Sequence, residues 1–85
     1  MPPRASRVVL YERAGCHLCE EAAQLLDEMI GADRFERIDI DLDDELILRY
    51  AFRVPVVTLD GIDRLEAPMT AAELRDLLRS LDAAR

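Results

Sequence analysis

The first third of the chain joins a short apolar run to a helical stripe. Residues 7–11, RVVLY, are mostly apolar or aromatic at positions of both parities, which predicts a strand covered on both faces. The apolar residues that follow recur at helical spacing, and Gly31 after the last of them is typical of a helix C-terminus. They are Leu18, Ala22, Leu25, Leu26, Met29 and Ile30. The pattern therefore predicts a strand followed by a helix over residues 18–30.

The next segment changes its period from helical to alternating. In residues 34–42, RFERIDIDL, apolar side chains alternate with aspartates, which predicts a strand with one buried face at or near a sheet edge. The apolar members are Ile38, Ile40 and Leu42. Asp41 or Asp43 can cap a second helix over residues 44–52. The residues predicted to face inward from it are Leu46, Ile47 and Tyr50.

The last third predicts a hairpin and a closing helix. Residues 54–68, VPVVTLDGIDRLEAP, place Asp60 and Gly61 between two apolar runs, and Asp-Gly is a turn pair that tolerates positive φ at both positions. Thr70 and Glu73 have the spacing of a capping box, in which each residue bonds the other's backbone N–H. The leucines that follow at helical spacing are Leu74, Leu77, Leu78 and Leu81.

These elements together predict the order β-α-β-α-β-β-α and an α/β fold. A parallel βαβ half is followed by an antiparallel hairpin and a helix, so we expect a four-stranded mixed sheet with helices on both faces. With 85 residues, the chain is expected to form a single domain over residues 1–85, with an ordered core over about residues 7–82 and frayed ends.

Composition excludes several classes of function. The formal net charge is −7, with eleven arginines and no lysine, which argues against the concentrated positive surface that binds nucleic acid. No apolar run approaches the roughly 18 residues of a membrane span, and residues 1–7 lack the apolar centre of a secretory signal. The three glycines are too far apart for a phosphate-binding loop. We therefore expect a cytoplasmic protein that binds neither nucleic acid nor membrane.

The two cysteines lie where the first predicted helix begins, in the stretch AGCHLCEEA of residues 14–22, and two residues separate them. The free N–H groups and the dipole at a helix N-terminus stabilise an anion, so Cys16 is expected to be the exposed, nucleophilic thiol. Cys19 lies one turn later on the same face, within reach of a disulfide, and is expected to be the resolving thiol. The pair is therefore predicted to be a redox couple.

Charged neighbours act on the Cys16 thiolate in both directions. His17 and Arg13 favour it, whereas three carboxylates oppose it. The three are Glu12, Glu20 and Glu21. The balance predicts a thiolate that is stabilised modestly.

Three other roles compete with a redox couple. A structural staple would close so short a loop that it removes little unfolded-state entropy. Tetrahedral zinc needs four ligands, and the chain has no second pair of cysteines or histidines. A metal or cluster shared between subunits, and a pair of inert core thiols, stay open as alternatives.

Over residues 7–82 the sequence resembles the glutaredoxin-like members of the thioredoxin superfamily. The stretch YERAGCHLC resembles the family's aromatic, polar and basic residues before the C-x-x-C, with Arg13 where lysine is usual. The stretch RVPVV resembles the segment that carries the family's cis-proline, which implies that Pro55 faces Cys16. Val54 would then offer its backbone to the substrate. The resemblance thus implies a thioredoxin-like fold.

The function implied by the resemblance is that of a thiol-disulfide oxidoreductase that reduces protein or small-molecule disulfides. The predicted catalytic residues are Cys16 and Cys19, and the predicted substrate-binding residues are Arg13, His17, Val54 and Pro55. Arg13 would grip a carboxylate of the substrate. No metal and no bound cofactor are expected, because a cis-proline at this position crowds metals away from the thiols.

The chain departs from the usual glutaredoxin pattern in ways that leave its electron donor open. His17 and Leu18 replace the common Pro-Tyr, Arg53 replaces a threonine, and the Gly-Gly and aspartate that hold glutathione are missing. Pro68 resembles a feature of redoxins recharged by thioredoxin reductase. The candidate donors are thus glutathione, as a co-substrate, and a thioredoxin-reductase-type flavoprotein. The partner is expected to be a disulfide-containing protein or small thiol, and the chain a monomer.

Two hypotheses of a different functional class stay open as alternatives to an enzyme. One is a non-catalytic thioredoxin-fold binding module or iron-sulfur cluster carrier that uses the C-x-x-C surface. The other is a redox-inert structural protein.

Overall fold

The structure is a computed structural model that describes residues 7–83. Its strands are β1 (Val8–Glu12), β2 (Glu36–Asp39), β3 (Val56–Leu59) and β4 (Ile62–Glu66), and its helices are α1 (His17–Ile30), α2 (Asp44–Tyr50) and α3 (Ala71–Ala83). The frayed ends predicted from the sequence, and the side chain of Leu81, lie outside what is described. None of the described helices is long and apolar enough to cross a membrane.

The four strands form one mixed sheet in the order β2-β1-β3-β4. β1 pairs with β2 in parallel and with β3 antiparallel, and β3 pairs antiparallel with β4. The predicted order of elements, the mixed sheet and the edge position of β2 are therefore confirmed. An irregularity in the β3–β4 ladder leaves Arg64 as an extra residue between the partners of Val57 and Thr58.

The apolar core lies on both faces of the sheet. The larger cluster joins β1 and β3 to α1 and α3; its buried members are Val8, Leu10, Ala22, Ala23, Leu26, Val57, Leu59, Leu74, Leu77 and Leu78. The buried members of the cluster on the opposite face, beside α2, are Ile40, Tyr50 and Val56. Val56 and Val57 belong to different clusters because side chains alternate along a strand. The predicted helices on both faces are confirmed.

The expectation that Leu42 continues the buried face of the second strand is wrong. β2 ends at Asp39, and Ile40–Leu42 forms a 3₁₀ turn in which Leu42 is 85% exposed. The strand ends because the Asp39 carboxylate accepts a hydrogen bond from the backbone N–H of Asp41 at 2.9 Å, which turns the chain. Asp43, and not Asp41, caps α2 by accepting from the N–H of Glu45 at 2.8 Å.

The two local signals at the C-terminal end are both confirmed. Asp60 and Gly61 join β3 to β4 with φ of 52° and 84°, the left-handed conformations that this turn requires. At the start of α3, the Thr70 N–H donates to a Glu73 carboxylate oxygen at 2.9 Å, and the Glu73 N–H donates to Thr70 Oγ1 at 3.0 Å. This is the reciprocal pairing of a capping box.

A polar network ties the segment before Pro55 to β4. The buried Tyr50 ring stacks on Tyr11 with centroids 4.6 Å apart, and its hydroxyl donates to Asp63 Oδ1 at 2.8 Å. Arg53 donates to Asp63 Oδ2 at 2.9 Å and to Glu66 Oε1 at 3.1 Å. These bonds fix the last turn of α2 and the residues that lead into β3.

We expect the Asp63→Asn variant to lose the stabilisation that the ionised Asp63 carboxylate gives to the folded state. Burial raises the pKa of the Asp63 carboxyl, but donation from Tyr50 and Arg53 outweighs this, so the pKa lies below its usual value. The unfolded state therefore binds more protons as pH falls past about 4, and the stabilisation is lost below that. Above pH 5 the variant should be about 1 kcal/mol less stable than wild type, discounted for partial exposure.

Urea unfolding between pH 3 and pH 7 measures the effect of Asp63→Asn. The difference in the free energy of unfolding between the variant and wild type should be largest above pH 5 and should decrease towards pH 3. Asp76→Asn, on the exposed face of α3, is the matched control and should leave the pH dependence of stability unchanged. A gap that stays constant across the whole range would contradict the pairing described here.

Thr58 generates a second prediction. It is 1% exposed in β3, and its Oγ1 has no hydrogen-bond partner among the residues that the structure describes. Thr58→Val replaces the unpaired hydroxyl by a methyl group, so thermal unfolding should show a gain of about 1 kcal/mol. Thr58→Ser keeps the hydroxyl and loses the methyl group, so it should destabilise. A loss of stability in Thr58→Val would show that the hydroxyl is paired.

Candidate functional site

The two cysteines occupy the first turn of α1 and are joined by a disulfide bond with a Cα–Cα distance of 5.2 Å. Cys16 is the N-cap residue, and its Sγ accepts a hydrogen bond from the backbone N–H of Cys19 at 3.1 Å. Cys16 is half-buried at the surface, whereas Cys19 is 0% exposed. Cys16 is therefore the more accessible residue of the pair.

A tight turn carries the chain from β1 into the disulfide. The N–H of Cys16 donates to the carbonyl oxygen of Arg13 at 3.3 Å, which closes the turn over residues 13–16. Gly15 has a φ of 77°, a conformation that side chains rarely adopt. The sequence signal for this turn is the glycine directly before Cys16.

Arg13 lies in this turn, but its charge is already paired. Its Nη2 is 2.6 Å from Asp41 Oδ1, and its Nη1 donates to the carbonyl oxygen of Ala51 at 3.4 Å. The guanidinium holds the pKa of the Asp41 carboxyl below its usual value. The contacts that the structure shows for Arg13 thus tie the end of β1 to the chain on either side of α2.

His17 is the first residue of α1, and its side chain is 88% exposed. Its Nε2 lies 3.8 Å from Glu21 Oε1, one turn further along the helix. The imidazole therefore projects into solvent beside a carboxylate.

Arg37 of β2 is a residue of this region that the sequence reasoning missed. It forms a two-point ion pair with the buried Glu12 carboxylate, at 2.6 and 2.8 Å, and also reaches Glu20 at 3.4 Å. Hydrogen bonding to Glu12 raises the pKa of Arg37. Two of the three carboxylates expected to oppose the Cys16 thiolate are thus paired with one cation. The parallel pairing of β1 with β2 brings Arg37 next to Glu12, so the sequence carries no local signal for this ion pair.

The segment before β3 has the backbone form that the resemblance implies. The Val54-Pro55 peptide bond is cis, Pro55 is buried and Val54 is half-buried. The Val54 N–H donates to the carbonyl oxygen of Tyr50 at 3.1 Å. Backbone recognition of a substrate by Val54 would therefore have to use its carbonyl oxygen. The Ala67-Pro68 bond is also cis, which the sequence reasoning did not anticipate.

A groove of about 380 Å³ lies between α1 and the two cis-proline segments. Its lining is Leu18, Glu21, Ala22, Gln24, Leu25, Glu28, Pro55, Ala67, Pro68 and Met69. Leu18 was expected to face the core with the rest of the helical stripe, but it is 50% exposed. The reason is its position in the first turn of α1, on the helix face that lines the groove. The spacing of residues 18, 21, 22, 25 and 28 along one helix face was the available signal.

The part of the chain that the structure describes was also compared with the arrangement that a metal site requires. Within residues 7–83, no group of three or more histidine, cysteine, aspartate or glutamate side chains is arranged to hold a metal ion. The features present are a disulfide at a helix N-terminus, a cis-proline segment and a groove with apolar lining.

The chain is similar in sequence and structure to two solved proteins. The X-ray structure of target protein XcR50 from X. campestris matches with 39% identity and a TM-score of 0.72, over 86% of this chain and 96% of that one. The solution NMR structure of protein Ne2328 from Nitrosomonas europaea matches with 26% identity and a TM-score of 0.65, over 91% and 95%. No curated protein matches the chain.

A comparison with models of protein families identifies the family of this chain. The model described as glutaredoxin-like domain (DUF836) matches residues 7–81, which include the disulfide, the cis-Pro55 segment and the lining of the groove. The chain therefore belongs to the glutaredoxin-like domain family.

Proposed function

We propose that this protein is a thiol-disulfide oxidoreductase in which Cys16 is the nucleophile and Cys19 the resolving thiol. A thiol redox role is supported by the glutaredoxin-like domain and its C-x-x-C pair. The observation that carries the finer proposal is the difference in exposure between two cysteine residues already joined in a disulfide. One is at the surface and the other is buried in the first turn of the same helix.

The reaction proceeds in two exchange steps. The Cys16 thiolate attacks a substrate disulfide, forming a mixed disulfide and releasing one substrate sulfur as a thiolate, which takes up a proton. The Cys19 thiol loses its proton and attacks Cys16 Sγ, which releases the second substrate thiol and forms the Cys16–Cys19 disulfide. Two electrons pass from the protein dithiol to the substrate.

The first turn of α1 supplies the groups that stabilise the Cys16 thiolate. The sulfur of Cys16 lies at the helix N-terminus and accepts a hydrogen bond from the N–H of Cys19, and both features favour negative charge on this sulfur. Arg37 pairs with Glu12 and also reaches Glu20, so its positive charge offsets part of the repulsion that these carboxylates exert on the thiolate. Arg13 contributes less than a free arginine would, because Asp41 shares its charge.

The remaining roles follow from the same site. Val54 and Pro55 bind the substrate segment beside Cys16, and His17 borders the exposed side of the helix. The substrate is a disulfide of a protein or of a small molecule in the cytoplasm, and the dithiol is restored by glutathione or by a thioredoxin-reductase-type flavoprotein. Disulfide exchange of this kind contributes to cell redox homeostasis.

Single serine variants separate the two cysteine roles. Cys16→Ser should reduce the rate of disulfide reduction by about a hundredfold or more, because the attacking sulfur is lost. Cys19→Ser should still form the first mixed disulfide and then stall, because no second thiol releases it. The measurements are thiol release from the disulfide of 2-hydroxyethanethiol and the intact mass of the stalled adduct.

Circular dichroism of the reduced proteins, wild type and both variants, controls for folding. The roles would be reversed if Cys16→Ser formed the stable adduct and Cys19→Ser did not. A Cys16→Ser variant that reduces the disulfide at the wild-type rate would overturn the proposed function.

A further inference from the structure

The groove between α1 and the two cis-proline segments combines apolar side chains with negative charge. Its apolar lining comes from α1 and from both cis-proline segments and includes Leu18, Leu25 and Met69. Its charged lining consists of two carboxylates, Glu21 and Glu28, and includes no arginine. Apart from the proximity of His17 to Glu21 at 3.8 Å, the ion pairs of the described residues leave both carboxylates unpaired.

Two of the residues that line the groove connect it with the proposed chemistry. Leu18 lies between Cys16 and Cys19 in sequence, and Pro55 belongs to the cis-proline segment. A chain whose disulfide reaches Cys16 would therefore place its flanking residues against the groove. The volume of about 380 Å³ is at the low end for small-ligand pockets, and it suits one or two side chains of an extended segment.

Charge decides which flanking residues are compatible with this surface. An anionic flank would bring like charges together at Glu21 and Glu28, whereas a cationic flank would pair with them at the rim. Arg13 and Arg53, the cations of the turn before Cys16 and of the segment before Pro55, are paired with Asp41, Asp63 and Glu66. They are therefore poorly placed to attract an anionic substrate.

We propose that the groove binds a segment of a substrate protein that carries an apolar residue and a lysine or arginine beside its disulfide cysteine. The apolar side chain packs on Leu18, Leu25 and Met69, and the cation lies between Glu21 and Glu28. The inference rests on the proposed function and names its substrate class. Anionic disulfides, including that of glutathione, are poor substrates by the same argument.

The bond changes are those of the two exchange steps above. Cys16 Sγ bonds to one cysteine of the substrate disulfide, and the other leaves as a thiol after gaining a proton. Cys19 then displaces the bound cysteine, so that the protein dithiol is oxidised and the substrate disulfide reduced. Charge in the groove changes the binding of the substrate and not this balance.

Three peptide disulfides test the preference. They are homodimers of the blocked tripeptides Leu-Cys-Arg, Leu-Cys-Gln and Leu-Cys-Glu, each reduced by the full chain with both cysteines in the thiol form. Each rate is divided by the rate with dithiothreitol, which removes the intrinsic reactivity of the peptide. The arginine peptide should react roughly tenfold faster than the glutamate peptide at low salt, with the glutamine peptide between them. The preference should shrink at 1 M NaCl, where charges are screened beyond about 3 Å.

Two double variants with the same net charge locate the effect. Glu21→Gln with Glu28→Gln should reduce the preference to about twofold, whereas Asp27→Asn with Glu45→Gln should keep most of it. Asp27 is exposed on α1 outside the groove, and Glu45 is exposed on α2. Circular dichroism checks that each variant keeps its helices.

The outcomes separate this inference from the proposed function. If the glutamine peptide is reduced but the arginine and glutamate peptides react at equal rates, the substrate class is wrong and the oxidoreductase stands. An equal loss of preference in both double variants would also overturn it, because net charge alone would then be responsible. If none of the three peptides is reduced, the proposed function and this inference fail together.

Discussion

The packing of α1 on the sheet is the constraint on which the rest of the site depends. Ala22, Ala23 and Leu26 are almost fully buried, and the small alanine side chains let the helix lie close to β1 and β3. This contact fixes the rotation of the first turn, so that Cys19 faces inward and Cys16 lies at the rim. The difference in exposure between Cys16 and Cys19 is therefore a consequence of core packing. A bulkier residue in place of either alanine would tilt the helix and change both exposures together.

The polar interactions around the site act on the loops and not on the core. Arg13 bonds Asp41 and the carbonyl oxygen of Ala51, and Arg53 bonds Asp63 and Glu66. Exposed ion pairs of this kind contribute little stability one by one. Their effect here is geometric, because they connect the turn before Cys16 and the segment before Pro55 to neighbouring elements. Each loop of the site is thus fixed to a neighbouring element of the fold.

The sequence predicts those features that depend on neighbours in the chain. The Asp60-Gly61 turn, the Thr70 capping box and the two cysteines at the start of α1 are local signals, and the structure has them as predicted. The order of elements also predicts the mixed sheet, but particular side-chain pairs and the end of one strand were missed. Nothing near Arg37 indicates that it pairs with Glu12, since the pairing needs the parallel alignment of β1 and β2. Alternation alone could not show where β2 ends, because the Asp39 turn overrides the period at Leu42.

Charge around α1 is divided between two sides of the helix, and this division connects reactivity with recognition. Glu20 and Glu21 are consecutive, so their side chains project about 100° apart. Arg37 pairs with Glu12 and also reaches Glu20 on the side of the sheet edge, whereas Glu21 and Glu28 line the groove. The single cation offsets part of the negative charge on the first side, and no arginine lines the groove. A chain with the same net charge but with Arg37 on the groove side would leave the buried Glu12 carboxylate without this partner and would place a positive charge beside Glu21 and Glu28. The position of one arginine on β2 thus determines how the buried carboxylate is paired, and the groove keeps the charge of its own two carboxylates.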